Sequence, residues 1–251
     1  MGLFDQKPKA VKDNETQKKG ARLITVAEPK HVISEQFRTL RTNIEFASIG
    51  TDQLKTVMFT SPEVSDGKST VSANAAVTWA QDGKKVLVID ADLRRSTVHT
   101  TFGVSNRAGL TTLLASHEPH MESELIQETF VPNLYVLTSG PTPPNPAELL
   151  NSNRMAQLMA QLREHFDIVV VDVPPVLAVT DAQVLLPQID GVVLVVTMEK
   201  TYKVNIKRTV DTLKLGGARI LGFVTRDKSK GAHGYGYGYG YGYGYGDTKS
   251  K

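Results

Sequence analysis

Apolar residues fall into short unbroken runs, separated by stretches in which they recur every three or four positions. The runs are 56–60 (TVMFT), 86–90 (VLVID), 134–138 (LYVLT), 167–172 (DIVVVD), 192–197 (VVLVVT) and 219–225. Runs without polar alternation predict strands buried on both faces, as in a parallel sheet. Between them, residues 34–48, 68–80, 147–163, 181–187 and 202–215 read as helices. The first of these carries Phe37, Leu40, Ile44 and Ala47 as an apolar stripe, with Ser34 as its expected N-cap and Glu35, Arg38 and Arg41 as a second stripe at steps of three. Asp82-Gly83 ends the helix over 68–80. Strands and helices that alternate predict an α/β fold: a doubly wound, mostly parallel sheet with right-handed crossovers and helices on both faces. Ligands of such sheets bind at the carboxyl ends of the strands.

The pattern fades at both ends of the chain. Residues 1–30 carry Lys7, Lys9, Lys12, Lys18 and Lys19 with few large apolar side chains, and predict a mobile basic arm. It reads as a solvated leader, or as a segment weakly drawn to anionic lipid or an acidic partner. From residue 227 a strict Gly-Tyr alternation takes over, with Tyr235, Tyr237, Tyr239, Tyr241, Tyr243 and Tyr245. Without aliphatic residues it cannot bury enough surface to order itself, and it predicts a disordered tail over 227–251. That leaves 31–226 as one domain.

Composition narrows the classes. A formal charge of +3 is too small to argue for nucleic acid as a partner. The lack of cysteine excludes disulfides and Cys-ligated zinc. No apolar run approaches the roughly 20 residues of a membrane span, and the N-terminus has no signal-peptide core, so a cytoplasmic protein is expected. Work at a membrane would need another protein to hold it there.

The chemistry gathers at three places. The strand over 56–60 runs into Ser61-Pro62-Glu63-Val64-Ser65-Asp66-Gly67-Lys68-Ser69-Thr70, and a helix follows. Strand, loop and helix around Gly67-Lys68-Ser69 predict a phosphate loop. Backbone N–H groups of Ser65 to Thr70 would cradle ATP, Lys68 would supply a charge, and the Ser69 hydroxyl would reach Mg2+. Pro62 stands where a glycine is usual, five residues before Gly67; a plain surface turn is the bland reading. The second and third places are acidic strand ends: Asp90 with Asp92, followed by Arg94 and Arg95, and Asp172, followed by Val173-Pro174-Pro175. Carboxylates at that edge suit a metal shell and a proton acceptor, where one strand-terminal Asp alone could be only a helix cap. Asp172 suits the metal, and Asp90 and Asp92 suit the base and metal-shell roles.

With these motifs the chain resembles the bacterial tyrosine kinases of capsule and exopolysaccharide synthesis, in the form found as a separate cytoplasmic chain in Gram-positive bacteria. The resemblance covers about residues 30–250. Residues 34–43 look like the family's E-x-x-R-x-x-R helix, 66–70 like its Walker A motif, 88–95 like its Walker A′ and 168–175 like its Walker B, which is a P-loop NTPase of the deviant Walker type. Residues 140–150 resemble a recurring loop, and 235–245 occupy the place of the tyrosine cluster. The resemblance implies ATP and Mg2+ as cofactors, Asp90 as general base, Asp92 and Asp172 with Ser69 at the metal, and Glu35, Arg38 and Arg41 at a subunit interface. It further implies a ring-shaped homo-oligomer that phosphorylates its tail tyrosines in trans, a transmembrane adaptor of the polysaccharide co-polymerase type, and a cognate tyrosine phosphatase. Val173 replaces a common Thr, Thr225 a common Asn, and the tail spaces its tyrosines with glycine. Two alternatives remain. A partitioning or septum-placement ATPase would carry a second lysine five residues before Lys68, where Glu63 stands. A nucleotide-gated scaffold would use the Gly-Tyr tail as an adhesive segment.

Overall fold

The computed structural model describes residues 15–48, 54–116 and 122–227. The elements are helices α1 (Glu15–Lys19), α2 (Ile24–Ala27) and α3 (Val32–Ala47), strand β1 (Thr56–Thr60), α4 (Lys68–Gln81), β2 (Val86–Asp90), α5 (Val98–Phe102), α6 (Leu110–Ala115) and α7 (Glu122–Leu125). After them come β3 (Gln127–Glu128), β4 (Leu134–Leu137), α8 (Pro146–Leu150), α9 (Asn153–His165), β5 (Ile168–Asp172) and α10 (Asp181–Val184). A 3-10 turn (Leu186–Gln188), β6 (Gly191–Thr197), α11 (Lys203–Leu215) and β7 (Ile220–Arg226) complete the order.

The strands form one sheet in the order β3-β4-β2-β5-β1-β6-β7, parallel except for the β3–β4 pair. The period of two along each strand deals its side chains to two cores. Met58, Leu87, Ile89, Val169, Val171 and Leu194 face a core shared with α6, α8 and α9. Val57, Phe59, Val86, Val88, Val170 and Val193 face a core shared with α3, α4 and α5. Because β5 lies between β1 and β2, the ends of three consecutive neighbours in the sheet converge on one spot. In that register Asp172 sits beside Phe59 of β1 on one side and beside Asp90 of β2 on the other. Helix α4 is buried from Val71 to Ala80, so the residues after the phosphate loop are held against the sheet on one side and α3 on the other.

Several expectations are corrected. Helix α3 begins before Ser34, and its cap is the His31 ring, whose Nδ1 accepts from Ile33 N at 3.1 Å. Ser34 is instead buried and donates to Glu28 O at 2.7 Å, serving the end of α2. The helix expected over 147–163 is two helices, because the Ser152 hydroxyl accepts from Met155 N and starts α9 afresh. Helices α5, α6 and α7 and the polar two-residue strand β3 have too few turns or residues to print a period.

The reading of residues 1–30 as a mobile arm does not hold from residue 15 on. Ala21, Leu23, Ile24 and Thr25 are buried. Asn74 of α4 fixes them from both sides: its Oδ1 accepts from Thr25 N and Oγ1, and its Nδ2 donates to Arg22 O. A short apolar segment needs no long hydrophobic run when a buried amide satisfies its backbone. Residues 1–14 lie outside the described residues, as do 228–251 with the six tail tyrosines.

At the opposite edge of the sheet, Asp190 ties β1 to α9. Its carboxylate accepts from Lys55 N and Thr56 N at 2.8 Å each and from Arg163 Nη1 at 2.8 Å. Partial burial opposes its ionisation, but the Arg163 bond and the two backbone donors outweigh it and hold its pKa below the ordinary carboxylate value. A depressed folded pKa gives stability that is present above the unfolded value of about 4 and is lost as pH falls through the folded one. Asp190→Ala is therefore expected to lower stability by about 2 kcal/mol at pH 7, or Tm by about 6 °C. Thermal melts across pH should show that difference shrinking below about pH 4.

Candidate active site

Strand β1 is flat and buried up to Thr60, whose hydroxyl donates to Pro174 O at 2.9 Å and so joins the β1 and β5 ends. The chain then turns sharply. Ser65 (φ 61°) and Gly67 (φ 87°) both adopt left-handed backbone within three residues. Such turns point successive N–H groups into one concavity, which suits an anion. The unpaired N–H groups of the first turn of α4 add to it, together with the positive end of that 14-residue helix. Gly67 has a second reason to lack a side chain: a Cβ there would overlap the guanidinium of Arg226. Arg226 Nη1 donates to Asp66 O at 3.2 Å, closing the loop from the end of β7.

Lys68 points along the mouth of the sheet. Its Nζ lies 2.9 Å from Asp92 Oδ2, 3.4 Å from Asp172 Oδ2 and 3.3 Å from Ser69 Oγ. Burial works against its charge, yet the Asp172 and Asp92 carboxylates outweigh burial and raise its pKa, so it stays an ammonium. Asp90 and Asp172 are register neighbours on β2 and β5, both fully buried. Asp90 Oδ2 accepts from Thr97 N at 2.9 Å and Val98 N at 3.0 Å. Its Oδ1 is buried and has no hydrogen-bond partner among the described residues. Burial first, and the Asp172 charge second, push the Asp90 carboxyl up to about 7, against the pull of the two backbone donors. Asp92 spends its other oxygen on Arg95 N at 3.1 Å.

The expected site residues thus separate into groups. Ser65, Gly67, Lys68, Ser69, Thr70 and Asp92 line one cleft. Asp90 and Asp172 lie at the same strand edge, beneath it. Asp66 does not face the cleft; its side chain is buried and bound by Lys200 Nζ and Thr201 Oγ1. Arg94 turns away to Asp181 at 2.9 Å. On α3, Glu35 and Arg38 pair with each other at the surface, whereas Arg41 donates to Thr78 O at 2.9 Å and lies 3.2 Å from Asp82. Arg41 is therefore an internal anchor of α3 on α4. Two cations in or beside the cleft, Arg226 and Lys200, had no motif to announce them, whereas Arg95 closes the motif over 88–95. Arg95 and Arg226 line the cleft, and Lys200 braces its loop from behind. The rule that ligands bind at carboxyl strand ends does point to Arg226, the last residue of β7.

This geometry offers an anion cradle, a fixed ammonium, a hydroxyl and three carboxylates, one of them with a proton affinity near neutrality. It suits transfer of a phosphoryl group to an acceptor that must lose a proton.

The chain is similar to proteins of known family and fold. A family model described as an AAA domain matches residues 55–215. The tyrosine-protein kinase YwqD of Bacillus subtilis is 46% identical over 224 residues, which is 89% of this chain and 93% of that protein. The solved kinase domain of the Escherichia coli tyrosine kinase ETK is 35% identical, with a TM-score of 0.78 over 87% of this chain and 85% of that domain. The solved cell division ATPase MinD of Pyrococcus furiosus is 26% identical, with a TM-score of 0.59 over 68% of this chain and 71% of that one.

The Gly67–Arg226 contact makes a separable prediction. Gly67→Ala adds a side chain at positive φ and collides with the guanidinium, so a loss of about 2 kcal/mol or more is expected. In an Arg226→Ala background the collision is gone and only the backbone strain of about 1 kcal/mol remains. Urea unfolding of the four proteins measures the difference; equal losses in both backgrounds would mean that the guanidinium is not seated over Gly67.

Proposed function

Because the chain belongs to the bacterial tyrosine-protein kinases, we propose that the cleft transfers the γ-phosphoryl group of ATP to tyrosine, with each described group in a definite role. The observation that carries this reading is the Lys68 ammonium held by Asp92 and Asp172 beside the Gly67 turn, with Asp90 one strand away. The backbone N–H groups of Ser65 to Thr70 hold the phosphates, and Lys68 carries its charge to them. Asp90 is the better proton acceptor of the pair Asp90 and Asp92. It keeps one oxygen free and binds a proton near neutral pH, whereas both Asp92 oxygens are engaged. The attacking phenol oxygen forms its bond to the γ-phosphorus as the bond from that phosphorus to the β–γ bridging oxygen of ATP breaks, the electron pair leaving with ADP, and the phenol proton passes to Asp90.

The residues around Lys68 also fit a hard divalent cation. Ser69 Oγ, Asp92 and Asp172 present only oxygen, and together they already hold a positive charge. Ser69, Asp92 and Asp172 would hold Mg2+ there, and the ion would supply positive charge against the negative charge that develops in transfer.

The acceptors are the tail tyrosines, Tyr235 to Tyr245. The last described residue, Asp227, follows Arg226, which lines the cleft. A segment of about 20 residues with random-coil dimensions would span roughly 25 Å, enough for the chain's own site or that of a neighbouring copy. A ring of identical chains is the assembly this suits, with the exposed Glu35 and the half-buried Arg38 of α3 available to it. No described helix is long and apolar enough to cross a membrane. A cytoplasmic enzyme recruited to the membrane by a transmembrane adaptor, and reversed by a tyrosine phosphatase, fits the role in polysaccharide synthesis. The partitioning-ATPase alternative loses its main requirement, because Glu63 is turned to Asn205 of α11 at 2.7 Å and supplies no cation to the cleft.

Incubation with Mg-ATP followed by intact mass and anti-phosphotyrosine detection tests the reading. Steps of about 80 Da are expected, up to one for each of the six tail tyrosines, and none in Lys68→Met. Hydrolysis of ATP with no tyrosine modified, even with the cytoplasmic peptide of an adaptor present, would turn the assignment to a P-loop ATPase.

A further inference from the structure

The segment that precedes Gly67 is gripped from behind by the turn between β6 and α11. Lys200 Nζ donates to Val64 O at 2.6 Å and to Asp66 Oδ1 at 2.8 Å. Thr201 Oγ1 donates to the same Asp66 oxygen at 3.0 Å, and Glu63 N donates to Asp66 Oδ2 at 3.2 Å. Thr197 Oγ1 donates to Asp66 O at 3.1 Å, and Asn205 Nδ2 to Glu63 Oε1 at 2.7 Å. The turn is itself closed, with Thr197 N donating to Thr201 Oγ1 at 3.0 Å and Thr201 N to Thr197 O at 2.9 Å, and Glu199 at φ 61° between them.

A buried carboxylate is an odd component for the wall of an anion cradle. Asp66 is fully buried and adjoins the residue whose turn forms that cradle. Left uncompensated, its charge would repel the phosphates that the loop must hold, in surroundings where screening by water is poor. The Lys200 ammonium is the cation that touches it, half out in solvent, while the Arg226 guanidinium binds only its backbone carbonyl. We propose that Lys200 is a positioning residue of the nucleotide site: it neutralises Asp66 and, through the shared contact with Val64 O, sets the curvature of the phosphate loop without touching the phosphates. The β6–α11 turn thereby becomes a lever on nucleotide affinity, since whatever moves Lys200 exposes the phosphates to the Asp66 charge. This rests on the cleft being a nucleotide site, as proposed above.

A pair that only stabilised the fold would behave differently from one that balances charge against phosphate. Calorimetric titration with ADP and magnesium separates the two, using wild type, Lys200→Gln, Lys200→Arg and the double variant Asp66→Asn/Lys200→Gln, each with its Tm. Lys200→Gln is expected to weaken ADP about tenfold, Lys200→Arg by no more than about threefold, and the double variant to recover to within about threefold of wild type, because the repelling charge is removed with its counterion. ADP affinity unchanged in Lys200→Gln, or a double variant no tighter than Lys200→Gln alone, overturns the proposal. A loss of affinity that merely tracks the fall in Tm across all three variants overturns it as well. If wild type itself binds no ADP, the nucleotide reading of the cleft fails first, and the binding readout makes that outcome distinct because it requires no transfer to tyrosine.

Discussion

Three carboxylates stand at or just past the carboxyl ends of β2 and β5, and one ammonium, that of Lys68, touches two of them, Asp92 and Asp172. Burying acidic groups this close together is costly unless a cation is at hand, and the Lys68 contacts at 2.9 Å and 3.4 Å supply it. Much of the fold serves to put that lysine there. Placing β5 between β1 and β2 brings Asp172 beside Asp90, and the left-handed turn at Gly67 starts α4 with Lys68 facing both. The continuous burial of α4 then fixes the start of the helix against the sheet. In the proposed reading this cluster of opposite charges is one that phosphate and a divalent cation would divide between them: phosphate would take the Lys68 ammonium, and Asp92 and Asp172 would hold the metal.

This division explains why the two aspartates that end one motif differ. Asp92 is already committed to Lys68 and the Arg95 backbone, and belongs with the charges that exchange partners. Asp90 is fixed by Thr97 and Val98 N–H groups through one oxygen and keeps the other unpaired. Burial beside Asp172 raises its affinity for a proton to the range in which it can take one up and release it again. The two aspartates stand two residues apart at one strand end, and the different roles proposed for them follow from their different surroundings.

The sheet was legible because its strands announce themselves as unbroken apolar runs such as VLVID and VVLVVT, and the phosphate loop because strand, glycine turn, lysine and helix are contiguous. What was illegible depends on contacts between distant segments. Burial of Leu23 and Ile24 depends on Asn74, some 50 residues on, and nothing local to residues 15–30 signals it. Arg41 read as one of three equivalent surface charges, but its partners Thr78 and Asp82 lie on α4, so its role differs from that of Glu35 and Arg38. Asp66 sits inside the motif and was read as a phosphate-loop residue, yet its side chain answers to Lys200 and Thr201, more than 130 residues away. Motif position reports where the backbone goes; it does not report which way a side chain turns.

In the proposed mechanism Asp90, and not Asp92, takes the proton of the attacking tyrosine while the other charges hold nucleotide and metal. Single-turnover phosphorylation measured in Asp90→Asn, with ADP affinity measured on the same protein, tests it most directly. The account predicts ADP affinity within about threefold of wild type and a transfer rate reduced by about a hundredfold or more, the size of a lost general base. Transfer at the wild-type rate in Asp90→Asn would contradict it.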